Sequence, residues 1–173
     1  MFPPIHSFLE EYEELTDFLI KHKDLSLSTN VNHHYRKIYL LSCASYYEME
    51  IVKIIKDFVE INSADERIIN FITNKAIARQ YHTYFEWDQK NINKFLGYFG
   101  SRFKNSVSIE ISNSPILTSQ VEAFLAIGNE RNKMVHENFL VYTLDKTFSE
   151  LRDLDRKATR FINYLKTKFN EIL

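Results

Sequence analysis

The residues best suited to chemistry lie in one hexapeptide, Arg131-Asn132-Lys133-Met134-Val135-His136. An imidazole titrates near neutral pH and can give or take a proton during a reaction. A guanidinium can grip phosphate oxygens with two parallel hydrogen bonds as charge builds on them. Asn132 stands one helical turn before His136, where it can bond a phosphate or fix the imidazole. Geometry limits the pair: at about 100° per residue, Arg131 and His136 project roughly 140° apart on an ideal helix. Either the helix loosens before His136, or the site is assembled across a boundary. The plainer reading pairs Arg131 with Glu130 or Glu137 and leaves His136 as a cap at a helix C-terminus.

Other candidates are weaker. Arg152, Arg156 and Arg160 recur every four residues on one helix face, and with Lys133 they could meet a phosphate backbone. A solvated face partly neutralised by Asp153 and Asp155 explains the three arginines more simply. Glu48 can orient Arg131 from a neighbouring helix or simply be solvated. Ser45 reads as a small packing residue where helices approach closely. Tyr46 and Tyr47 can stack on a base, though aromatic residues of a helix usually fill a core. His33 and His34 are adjacent, point different ways and make a poor metal pair. His82, set among aromatics, reads as a packing histidine. No Cys/His cluster has zinc spacing, so neither metal nor cofactor is expected.

Helices must position these residues. The chain has 173 residues with only 3 Gly and 3 Pro, too few for a fold of many tight turns. The expectation is one all-α domain over 1–173, a bundle of about five to seven helices with a long second and a long last helix. Ile5, Phe8, Tyr12, Leu15 and Leu19 form a first stripe after Pro3 and Pro4. The polar run 26–32 predicts a turn, with a helix cap at Ser28, Thr29 or Asn30. A long helix over about 31–61 follows, with Ile38, Leu41, Ser45, Met49, Val52, Ile55 and Val59 as its stripe. Ser63-Ala64-Asp65-Glu66 reads as a capping box opening a third helix with Ile68, Ile69, Phe71 and Ile72. The stretch 81–87 is aromatic and less periodic. Asp88 can cap a fourth helix carrying Ile92, Phe95, Leu96 and Phe99, stopped by Gly100. Residues 107–111 read as a loop or short helix. After the break at Asn113-Ser114-Pro115, Thr118 or Ser119, completed by Glu122, caps the helix that runs through Val121, Phe124, Leu125 and Gly128 into the hexapeptide. Thr143 caps the last helix, whose steps of four and three place Leu144, Phe148, Leu151, Ala158, Ile162, Leu165, Phe169 and Ile172 on one seam, interrupted by Asp155.

Composition excludes several classes. A chain with 45% hydrophobic and 26% charged residues is globular rather than disordered. A net charge of −1 argues against a protein that coats nucleic acid, so any RNA contact needs a local patch. The single cysteine, Cys43, cannot form an internal disulfide, and a reducing, cytoplasmic setting is expected. Residues 1–18 carry acids and lack the apolar core of a signal peptide, and no apolar run approaches the roughly 20 residues of a membrane span.

Arginine, a polar residue, and histidine five positions on resembles the signature of the HEPN superfamily. The likeness extends to Tyr39-Leu40-Leu41-Ser42-Cys43-Ala44-Ser45-Tyr46-Tyr47-Glu48, similar to the family's long helix with small residues and then an acid. The segment 87–103, with Asn91-Ile92-Asn93-Lys94-Phe95-Leu96-Gly97, is similar to the region ahead of the motif in the RiboL-PSP-HEPN branch. The resemblance spans about 31–169. It implies a metal-independent endoribonuclease with Arg131 and His136 as its catalytic pair; Asn132 joins them and Glu48 supports them on position alone, and Arg152, Arg156, Arg160 and Lys133 are candidates for single-stranded RNA by their spacing. It further implies a homodimer whose two motifs line one cleft, a role as a toxin or defence effector, and an antitoxin or other regulatory protein as partner. A non-catalytic HEPN dimer binding nucleotide or a protein is the alternative. Toxins of this kind silenced by a nucleotidyltransferase usually carry tyrosine two positions after the histidine. Here that position is Asn138, followed by Phe139, with Tyr142 nearby, which argues against that control.

Overall fold

The computed structural model describes residues 3–171. Five helices of 13 residues or more carry the architecture: α1 (Pro3–Lys21), α2 (Leu25–Asn62), α6 (Ser101–Asn113), α7 (Pro115–His136) and α8 (Phe148–Asn170). Three short ones, α3 (Glu66–Ile72), α4 (Tyr81–Tyr84) and α5 (Asn93–Gly97), lie between α2 and α6, and a π-helical turn (Thr73–Ile77) follows α3. No strand occurs among the described residues. The chain is all-α, with the long second and last helices expected.

The bundle is built on α7 and α8, which pack against each other along their lengths, with α2 against both and α1 on α2. At 38 residues α2 reaches about 57 Å. α8 buries Leu151, Ala158, Phe161, Ile162, Leu165 and Phe169, each worth about 1.5–3 kcal/mol for the large apolar side chains. Phe161 joins the predicted seam, Leu144 is buried in the loop before the helix, and Ile172 lies outside the described residues. Phe99, Phe103 and Phe169 meet edge to face at 4.7–5.9 Å and tie α6 to the end of α8.

Several boundaries differ from expectation, each for a local reason. Residues 26–32 are helical, not a turn: Asp24 caps α2 by accepting from the Leu27 amide at 3.1 Å, and the Thr29 hydroxyl bonds back to the Leu25 carbonyl. Ser63 is extended (φ −133°, ψ 129°) and ends α2, so Asp65 caps α3, with no box from Ser63. Asp88 caps nothing, since α5 begins at Asn93 after Ile92. Residues 107–111 belong to α6, whose entry at Gly100 has φ 93°, a conformation strained for any residue with a Cβ. Ser114 caps α7 by accepting from the Leu117 amide at 3.2 Å, with Pro115 preset in the first turn. Thr118 and Ser119 instead donate to the Ile111 and Ile116 carbonyls. Thr147, not Thr143, caps α8 in a full capping box with Glu150. The face of α2 is also rotated. Ile38, Ser45 and Met49 are exposed, while Lys37, Tyr39, Leu40, Cys43, Ala44 and Tyr47 are buried.

Candidate functional site

The hexapeptide forms the last two turns of α7. The helix closes where the Glu137 amide donates to the Lys133 carbonyl at 2.8 Å, and Asn138 then takes φ 71°. Asparagine tolerates this left-handed conformation better than most residues. The Asn138 carbonyl and side chain accept from the amides of Tyr142, Val141 and Leu140 at 3.0–3.1 Å, folding the chain back.

Two cations of α2 hold this loop. Lys37 is fully buried, with 0% exposure, and its ammonium donates to the Phe139 carbonyl at 2.8 Å while lying 5.3 Å from the Phe139 ring centre. Burial pushes its amine below the ordinary lysine value. The Arg36 guanidinium donates to the carbonyls of Leu144 at 3.2 Å and Lys146 at 2.7 Å. The segment directly after His136 is thereby fastened at both ends to a helix about a hundred residues earlier.

Within the motif, Arg131 is half-buried and donates to the Asn132 side-chain oxygen at 3.1 Å. Asn132 therefore engages Arg131, not His136. His136 is exposed as the final residue of α7. Glu130 does not pair with Arg131: it accepts from the Tyr142 hydroxyl at 2.6 Å and meets Lys133 at 3.6 Å. Among the described residues Arg131 has no ion pair, and Glu48 does not reach it. Both charges instead act on Tyr81. Burial pushes the Tyr81 phenol above its ordinary value, the Glu48 carboxylate adds to this, and the Arg131 guanidinium opposes it.

The sequence assigns Tyr81 no role, and the aromatic, non-periodic stretch around it is its one signal. Its placement depends on Gly128, one turn before Arg131. A Cβ on Gly128 would lie 2.1 and 2.2 Å from two carbons of the Trp87 indole. The indole packs on bare helix backbone, donates to the His82 carbonyl at 3.3 Å and stands 5.4 Å from the Tyr81 ring. Phe85 and Phe124 complete its surroundings. The His82 side chain is exposed rather than packed.

The remaining candidates fall elsewhere. Arg152, Arg156 and Arg160 are exposed on α8. Arg156 and Lys157 pair with Asp153, and Arg152 approaches Glu13 of α1 at 3.6 Å. Asp155 does not neutralise this face. It is buried, accepting from the Tyr39 hydroxyl at 3.0 Å and from the Tyr47 hydroxyl. Tyr47 is thus a core residue and Tyr46 half-buried. Ser45 is exposed, and the small residues facing the core are Cys43 and Ala44. Among the described residues, no group of three or more His, Cys, Asp or Glu is gathered to hold a metal, and no helix is long and apolar enough to cross a membrane.

No curated protein and no solved structure matches the chain. A family model does, the one described as RiboL-PSP-HEPN, over residues 6–171. That match takes in every helix of the bundle, from α1 to the end of α8, and on it the chain belongs to the RiboL-PSP-HEPN family.

Proposed function

We propose that the chain is a metal-independent endoribonuclease that acts as a homodimer, a toxin or defence effector cutting single-stranded RNA. The observation that carries this reading is the end of α7. A half-buried guanidinium, without an ion pair among the described residues, stands five residues before an exposed imidazole on a fastened helix terminus. In the reaction, the RNA 2′-hydroxyl attacks the adjacent phosphorus and the bond to the 5′ oxygen breaks. The products are a 2′,3′-cyclic phosphate and a 5′-hydroxyl. His136 moves the proton between these oxygens, and Arg131 stabilises charge on the phosphorane. Asn132 holds the guanidinium plane, and Tyr81 and Glu48 back it. Because the two side chains diverge by about 140° on one helix, each site takes residues from both subunits.

The same divergence favours a second reading, a dimer that binds nucleotide without turnover. One experiment separates the two: incubation of the purified full chain with single-stranded RNA in a chelating buffer, against His136→Ala. Cleavage with cyclic phosphate ends, reduced about 10²–10⁴-fold in the variant, is the expected result. Full activity in His136→Ala overturns the assignment. Full activity of a chain that light scattering finds purely monomeric overturns the shared site.

A further inference from the structure

The geometry points to a second anion site on this protein, a cleft along α8 that carries the phosphate backbone of single-stranded RNA. The inference deepens the ribonuclease reading and rests on it. The cleft is an open hollow of about 610 Å³ along one face of α8, lined between Phe148 and Arg160, with Arg152, Arg156 and Arg160 as its cations. None of its lining residues belongs to α7, and among the described residues no hydrogen bond or ion pair joins its arginines to the Arg131–His136 segment.

Three features suit a phosphate chain. First, the three arginines stand on successive turns, their Cα atoms about 6 Å apart along the axis. They form a row rather than a ring, which matches consecutive phosphates of a strand better than one compact anion. Each fork can hold a phosphate with two bonds. Second, the row is available. Arg156 and its partner Asp153 are 66% and 38% exposed, and Arg152 and Glu13 are 51% and 62% exposed at 3.6 Å. Pairs of this kind contribute about 0–1 kcal/mol, so a phosphate displaces them at little cost. Arg160 has no ion pair among the described residues. Third, both carboxylates of the lining are engaged: Asp155 from the core side by the Tyr39 and Tyr47 hydroxyls, and Asp153 by Arg156 and by Lys157, while Ser149 and Thr159 add hydroxyl groups. With a net charge of −1 the protein has no general field to collect RNA, so a local row must do so.

The test is fluorescence anisotropy of the full chain with a labelled single-stranded RNA of about 12 nucleotides, its 2′-hydroxyls methylated so that it is not cut, titrated across salt, native against Arg156→Gln/Arg160→Gln. These exposed positions leave the core untouched. The expected result is at least a tenfold rise in Kd and a salt slope smaller by about 1.4, from about 0.7 per lost phosphate contact on single strands. Native protein that binds RNA with the same Kd and slope as the variant overturns the cleft and leaves the α7 site standing. Native protein that binds no RNA overturns both. A nucleoside triphosphate that displaces the strand at matched phosphate concentration assigns the cleft to free nucleotide and overturns the inference.

Discussion

Gly128→Ala is the sharpest perturbation of the wall behind Arg131. In most helices this change stabilises by about 0.8–1.0 kcal/mol through propensity alone. Here the new methyl group would lie 2.1 and 2.2 Å from Trp87 ring carbons and 3.0 Å from a third. An indole cannot bend away, and it is held by Tyr81, Phe85, Phe124 and the bond to the His82 carbonyl. Relief requires the whole segment 81–87 to move by more than an ångström. Overpacking of this kind costs about 1–3 kcal/mol, and so severe an overlap belongs in the upper half of that range. Net of the propensity gain, the loss is about 1–2 kcal/mol, or roughly 2–8 °C in Tm for a chain of this size. Trp87 is the only tryptophan, so its emission reports the displacement directly. Gly97→Ala is the control, because nothing lies within 4 Å of a Cβ there. The coupling is checked in a Trp87→Leu background, followed by circular dichroism, where Gly128→Ala should turn stabilising. A Tm that rises by the propensity amount in the native background, with emission unchanged, refutes the reasoning. Under the ribonuclease reading cleavage falls further than stability, since Tyr81 moves with the indole.

Two further outcomes are expected. Cys43 is 1% exposed, and burial followed by the Asp155 charge holds its thiol well above the ordinary value, so it should resist a thiol-reactive dye in native protein and react fully in denaturant; rapid native labelling would contradict the packing of α2 on α8. Glu110 of α6 takes the Lys168 ammonium at 2.9 Å and the Tyr164 hydroxyl at 3.0 Å, and the Lys168 bond is the main cause that holds its carboxyl below the ordinary value of 4.5. A depressed folded value gives stability that is full above 4.5 and lost as pH falls through the folded value, so thermal melts of Glu110→Gln should show a shallower acid decline than native; parallel curves would refute it.

What the sequence disclosed, and what it hid, follows from how far apart the partners lie. The long helices, the break at Ser114-Pro115 and the position of the hexapeptide at the end of α7 are local facts, written in periodicity and caps. The cap errors were local too. Thr143 and Thr118 were plausible hydroxyls within four residues of the true caps, but the Thr147-Glu150 reciprocity and the preset Pro115 decide the matter. Hidden were the buried polar residues. Lys37 on the core face of α2 makes sense only because carbonyls about a hundred residues away receive it, and Asp155 only because Tyr39 and Tyr47 do. Without those partners, a stripe reading rotates α2 toward Ile38 and Met49, which are exposed. Tyr81 was hidden for the same reason, since its neighbours come from three helices.

The electrostatics at the end of α7 favour an anion over an internal partner. Four charged residues, Glu130, Arg131, Lys133 and Glu137, crowd two turns of one helix, and the simplest outcome would be mutual neutralisation. Instead Glu130 is taken by Lys133 and by the Tyr142 hydroxyl, whose own loop is anchored by Lys37 and Arg36. That diversion leaves Arg131 bonded to a neutral group, the Asn132 side-chain oxygen, with no ion pair among the described residues. A half-buried cation so placed has already lost part of its hydration, and a phosphate that approaches it gains more than it would at an open surface lysine. Burial of Lys37 without a carboxylate is the opposing cost. It is offset by the bond to the Phe139 carbonyl, which fixes the loop after His136, so that the imidazole projects from a rigid helix end rather than a frayed one.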